Sequence, residues 1–148
     1  MRYVDEVLQP GETVLFFGTI HWVIYVPGLV LTLIGLAGLL GAANQPVLSV
    51  LFVLCLAAGF ASLFRAWFRR WTTEIAVTDR RIIFKRGFIR RFTIEMNMEK
   101  VESVDVDQSV LGRLLDYGDV IVRGTGTGFE PLHMIGAPIK LRNVVTAK

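Results

Sequence analysis

No Asp, Glu, Lys or Arg occurs between Thr13 and Phe64, a run of 52 residues in a chain of 148. That absence excludes an ordinary soluble domain over this stretch, because the surface of such a domain needs charged side chains. A single membrane span is excluded by length, since a hydrocarbon core of about 30 Å takes roughly 20 apolar residues in a helix. A cleaved leader is a poor fit, because the run starts late, lacks a basic flank before it and is far longer than an h-region. Cysteine is nearly absent. Cys55 alone cannot form an internal disulfide, and in an apolar helix it reads as a small packing residue. Histidine is scarce too. His21 and His133 lie far from each other and from Cys55, so no metal-ligand spacing exists and no metal or cofactor is expected.

What is present divides the chain in three. Residues 1–20 are a short acidic lead-in, 21–70 a two-helix transmembrane hairpin, and 71–148 a cytoplasmic β-domain just large enough for one core. Asn44-Gln45-Pro46 interrupts the apolar run and turns Trp22–Ala43 and Val47–Phe68 into two spans. Backbone groups that face lipid must be paired within their own segment, so each span is helical. A buried soluble helix pair is the competing reading, and two adjacent uncharged segments of this length run against it.

Charge sets the orientation. All Lys and Arg residues except Arg2 lie at or after Arg65, and Arg65, Arg69 and Arg70 mark the exit of the second span. The positive-inside rule places that exit, and with two spans both termini, in the cytoplasm of a cell whose plasma or inner membrane holds the hairpin. Trp22 and Tyr25 open the first span while Trp67 and Trp71 close the second, as aromatic rings at one interface should. No acidic residue lies within either span, which argues against an ion pathway. The net charge of +3 is too modest to suggest nucleic acid as a partner.

The polar part reads as strand. Ile75 and Val77 alternate with Glu74 and Thr78; Asp79-Arg80 reads as a turn; Arg81–Arg86 reads as the returning strand, closed by Gly87. Phe88–Met96 alternates again, with Phe92, Ile94 and Met96 on one face, and so does Val101–Asp107. Ser109–Asp116 suggests a short helix or loop with Val110, Leu111, Leu114 and Leu115 as its apolar contacts. Strands follow through Val120–Val122 and near Glu130–Ile135, and Pro138 opens a final helix through Val145. Glu12–Ile20 is rich in β-formers and is expected to add a strand to this domain, because both segments leave the hairpin on the same side.

Glu74-Ile-Ala-Val-Thr-Asp-Arg-Arg-Ile-Ile-Phe-Lys-Arg-Gly87 resembles the opening hairpin of bacterial pleckstrin-homology-like (PH-like) domains. Lys100 through Gly118, followed by Asp-Val-Ile-Val-Arg-Gly-Thr-Gly126, resembles the second half of the same pattern and is the longer and more specific block. The lead-in with Leu8-Gln-Pro-Gly-Glu12 and His21-Trp22 before a hairpin is similar to the YdbS-like membrane branch of that group. The resemblance covers nearly the whole chain and is weakest after Phe129. It implies a bent, mainly-β PH-like barrel with a C-terminal capping helix, attached to the transmembrane helices, and it implies no enzymatic chemistry. PH-like scaffolds host lipid, peptide and protein binding alike, so it does not name a ligand.

The candidate site is basic. Arg80, Arg81, Lys85, Arg86, Arg90 and Arg91 fall within twelve residues of one expected hairpin. Beside an anionic leaflet each basic residue is worth about 1 kcal/mol of attraction. A solvated, charge-protected hairpin accounts for the same residues, and the period of two argues against one tight pocket, since Arg80 and Arg81 point to opposite faces. Gly124-Thr-Gly-Thr-Gly128 lacks the Lys-Ser/Thr and helix of a phosphate loop and reads as a turn. Glu102, Asp105 and Asp107 read as the solvated face of a strand, and no nucleophile and base come together. The expected function is non-enzymatic binding or scaffolding at the membrane. Lipids, and a membrane-protein partner or a second copy, are its partners. The alternative is an anionic-lipid headgroup sensor built on residues 80–91.

Overall fold

The computed structural model describes residues 3–42, 44–87, 92–125 and 131–147, without the side chains of Tyr3 and Asp5. The chain forms two compact units, one of Met1–His21 with Trp71–Lys148 and one of Trp22–Arg70.

The first unit carries two antiparallel sheets. In the four-stranded sheet, β1 (Val14–Gly18), β2 (Glu74–Thr78), β3 (Arg81–Arg86) and β4 (Phe92–Asn97) lie in that order. The second sheet orders β5 (Val101–Asp107), β6 (Tyr117–Gly124) and β7 (Leu132–Gly136). An isolated bridge from Ile20 to Ile135 links the segment after β1 to β7. Before β1 lies α1 (Tyr3–Val7), between β5 and β6 lies α4 (Val110–Leu115), and α5 (Pro138–Thr146) ends the chain. Two antiparallel sheets with a C-terminal helix are consistent with the PH-like fold that the resemblance implies.

β2 and β3 are buried on both faces, which is why Ile82-Ile83-Phe84 is a continuous apolar run rather than an alternation. Ala76 and Ile83 pack on one face with Val4 of α1, flanked by Val7, Leu8 and Val14. Ile75, Val77, Ile82 and Phe84 occupy the other and share the core with Val120, Val122, Leu132 and Ile135. Leu141 and Val145 of α5 join them, and α5 packs on β1, β2, β5 and β6.

The register fixes which loops share an end. Gly18 pairs with Ile75 and Glu74 with Lys85, so β1 leaves this unit, and β2 enters it, at one end of the sheet. The β3–β4 connection is there too, because Arg86 pairs with Phe92. In the second sheet Tyr117 pairs with Gly136, and the Gly136 amide donates to the carbonyl of Thr19. This is the junction end. The β2–β3 turn and the short 3-10 turn at Met98–Lys100 lie at the opposite, far end, where the Met98 amide donates to the carbonyl of Arg80.

The second unit runs from a 3-10 turn (Trp22–Tyr25) into α2 (Val26–Gly41) and then α3, whose helix spans Pro46–Thr72. Glycines set the helix contact. Gly28 meets Leu63, Gly35 meets Leu56, Gly38 meets Phe52 and Gly59 meets Thr32, an antiparallel pairing in nearly constant register. Gly28, Gly35 and Ala42 recur every seven residues along α2 and its C-cap, as do Phe52, Gly59 and Ala66 on α3, the spacing of a left-handed helix pair. The Thr32 hydroxyl donates to the carbonyl of Gly28 at 2.8 Å. Both helices are long and apolar enough to cross a membrane, with mean hydropathies of 2.3 and 2.5 over their most apolar windows.

β4 keeps Phe92, Ile94 and Met96 on one face, from exposed Phe92 to buried Met96, and residues 88–91 lie outside the described part. The last strand is Leu132–Gly136, and Glu130, like residues 126–128 of the glycine turn, lies outside the described part. The four apolar side chains of α4 make no core; they face solvent.

Candidate functional site

The far end is organised by one carboxylate. The Glu12 side chain is fully buried, and Arg81 Nε donates to its Oε1 at 3.0 Å while Arg81 Nη2 donates to Oε2 at 2.9 Å. The Thr78 hydroxyl and the Gln9 amide donate to the remaining lone pairs at 2.7 and 2.9 Å. The hydrogen bond from Arg81 holds the Glu12 carboxyl well below the usual range, at about 2, against the cost of burial. Arg81 is engaged further: its Nη2 donates to the carbonyl of Val7 and its Nη1 to Glu95, both at 2.7 Å. Beside this network an open hollow of about 420 Å³ is lined by Gln9, Asp79, Arg80, Asn97 and Glu99 among others.

The six basic residues therefore divide. Arg80 and Arg81 lie at the far end. Lys85 and Arg86 lie about 16 Å along the strand at the junction end. Lys85 sits 3.8 Å from Glu74 and Arg86 is exposed. Arg90 and Arg91 lie outside the described residues. Arg81 is committed to Glu12 and Glu95, a pairing that a count of basic residues does not reveal. The signal was Glu12 itself, the last acidic residue before the uncharged run.

At the junction end sits α4. Ser109 caps it, its hydroxyl accepting from the Gly112 amide at 3.0 Å, and Asp116 closes it in the left-handed conformation. Gln108 Nε2 donates to the carbonyl of Tyr117 at 3.0 Å and bridges to Gly112. Gly112 is buried against the unit, and a Cβ there would lie 2.6 Å from the Tyr117 carbonyl oxygen. The helix thus seats on its glycine and presents Val110, Leu111, Leu114 and Leu115 at 85, 62, 79 and 39 % exposure. His21, the last residue before the second unit, stacks on Tyr117 with ring centroids 5.3 Å apart.

The profile of the bacterial PH domain matches residues 16–148, all but the first fifteen residues of the chain. The chain belongs to the bacterial PH domain family. Domains of this kind are in general non-catalytic binding modules, so what a bacterial PH domain does is read from its surfaces. No curated protein and no solved structure matches the chain.

Two further polar pairings stand out among the described residues of this bacterial PH domain. Asp119 accepts from the Met134 amide at 2.9 Å and lies 2.6 Å from His133 Nδ1 on the exposed face of β6 and β7, and Arg123 pairs with Asp105 at 2.9 Å. No group of three metal-ligating side chains occurs among the described residues.

Proposed function

We propose that α2 and α3 cross the bacterial inner membrane as a hairpin and hold the PH domain at the cytoplasmic face, where it works as a non-enzymatic binding or scaffolding module of the YdbS-like membrane type. One observation carries the reading. The apolar windows of α2 and α3 are only 11 and 6 % buried, whereas helices of this hydropathy in a soluble protein lie in its core. Left in water, the exposed row that includes Leu29, Leu33, Leu36, Leu40, Val47, Leu51 and Leu54 would far exceed the apolar patches soluble proteins tolerate. In lipid the same row is solvated. The basic last turn of α3, Arg69 and Arg70, supports a cytoplasmic PH domain by the positive-inside rule.

The division of the basic residues supports scaffolding over headgroup recognition. A pocket for one phosphorylated headgroup needs several guanidinium groups converging, and among the described residues they stand at opposite ends of β3. The partner in this reading is a membrane protein or a second copy, and the far-end hollow beside Arg80 is the surface that points away from the chain's entry to the spans. The alternative, an anionic-lipid sensor, draws on Lys85 and Arg86 at the junction end. Gentle solubilisation of the full chain from native membranes tests between them. A stoichiometric protein partner, lost with Arg80→Glu, supports scaffolding. A chain that purifies alone and binds vesicles only when anionic lipid is present supports the sensor.

A further inference from the structure

We infer that α4 is a membrane-inserted wedge, seated on the PH domain and buried through Val110, Leu111, Leu114 and Leu115 in the interface of the same bilayer that the two long helices cross. The inference rests on the membrane reading of α2 and α3.

The geometry is built to hold these side chains out. On a helix the four positions fall within an arc of about 140°. Gly112 lies outside that arc and is the buried contact. Its missing Cβ, the Ser109 cap, the Gln108 bridge and the left-handed Asp116 fix both ends of a six-residue helix. A floppy loop would fold its leucines back on the core. This one is pinned so that it cannot.

Location selects the bilayer as the occupant. Tyr117, directly after the Asp116 cap, stacks on His21, from which the chain passes to Trp22 and the first span. The amide of His21 also donates to the carbonyl of Met134 at 2.7 Å, so the PH domain holds its own chain up to the residue before the first span. The wedge is therefore carried at the end of the domain joined to both membrane helices. At that short tether the effective concentration of lipid surface exceeds that of any diffusing protein. Arg113 on the same helix is exposed, which suits a short amphipathic element lying in the headgroup layer beside anionic lipid. Acidic Asp116 caps the wedge outside its apolar arc, so insertion is shallow.

The test uses the full chain with Cys55→Ser, reconstituted in vesicles of equimolar phosphatidylcholine and phosphatidylglycerol. An environment-sensitive fluorophore is placed in turn at Leu114→Cys, at Glu102→Cys on exposed β5, and at Leu36→Cys within α2. The expected result is a blue-shifted emission at position 114 that lipids brominated near the headgroup quench several-fold more than aqueous iodide does, with the reverse at position 102. A position-114 label quenched by iodide as strongly as the position-102 label overturns the wedge. So does one shielded from both quenchers, which would mean a protein covers α4. The label at position 36 separates the two readings. If it is lipid-quenched while position 114 is aqueous, only the wedge fails; if it too is aqueous, the membrane reading itself fails.

Discussion

Arg81 and Glu12 stand 69 residues apart in sequence and meet in a two-pronged ion pair at 2.9 and 3.0 Å. Glu12 precedes the first long helix and Arg81 follows the second, so the pair closes the PH domain across the whole inserted hairpin. With the β1–β2 ladder it explains how a domain interrupted by an entire helical unit remains one domain.

Removing either partner leaves the other buried without compensation. Arg81→Leu should cost the more, on the order of 3 kcal/mol, because the stranded carboxylate is fully buried while Arg81 retains Glu95 when Glu12 is lost. Glu12→Leu should cost about 2 kcal/mol, and the double variant less than the two losses added. Thermal melts of the full chain in nanodiscs measure all three.

The same pair gives a pH dependence. Glu12 has a folded pKa of about 2 against an ordinary 4.5, so the unfolded chain binds more protons between these values. Its contribution is whole above pH 4.5 and is lost as pH falls towards 2. Unfolding midpoints across that window should fall with acid in the parent chain, and more gently in Glu12→Gln.

Two threonines at opposite ends of β2 should respond oppositely to the same change. Thr78 Oγ donates to Glu12 and accepts from the Arg80 and Arg81 amides, whereas Thr73 Oγ is buried with no hydrogen-bond partner. Thr78→Val should destabilise by about 2 kcal/mol, and Thr73→Val should be neutral or stabilising by up to about 1 kcal/mol. Denaturant midpoints decide.

Within the helix pair, a Cβ at Gly35 would stand 2.8 Å from the Leu56 backbone nitrogen, while at Gly41 it would meet nothing within 4 Å. Gly35→Leu should force the helices apart and cost about 2 kcal/mol or more, and Gly41→Ala should be tolerated. Resistance of the purified chain to unfolding in sodium dodecyl sulfate reads the difference.

Much of this was legible in the sequence. The uncharged run marks the two long helices, alternation at Val101–Asp107 marks β5, and the Asp79-Arg80 turn joins β2 to β3, although β2 is buried on both faces rather than half-buried. Glycine spacing in the run hinted at close packing but not at which leucine each glycine meets. The Glu12–Arg81 pair was hidden because pairing across an inserted unit leaves no periodic trace, so Arg81 read as one of a basic cluster. The α4 surface was hidden for another reason. Spacing shows that Val110, Leu111, Leu114 and Leu115 share a face, but not whether anything covers it. That depends on Gly112 turning the opposite face inward.

Side-selective labelling tests the central claim, that the hairpin crosses the membrane and holds the PH domain on the cytoplasmic side. In a Cys55→Ser chain, single cysteines at exposed Glu102 of β5 and at exposed Gln45, just before α3, are offered a membrane-impermeant thiol reagent. The account predicts that Glu102→Cys reacts only in inverted inner-membrane vesicles and Gln45→Cys only in intact spheroplasts. Reaction of both from the same side, or release of the chain from membranes by alkaline carbonate, would contradict it.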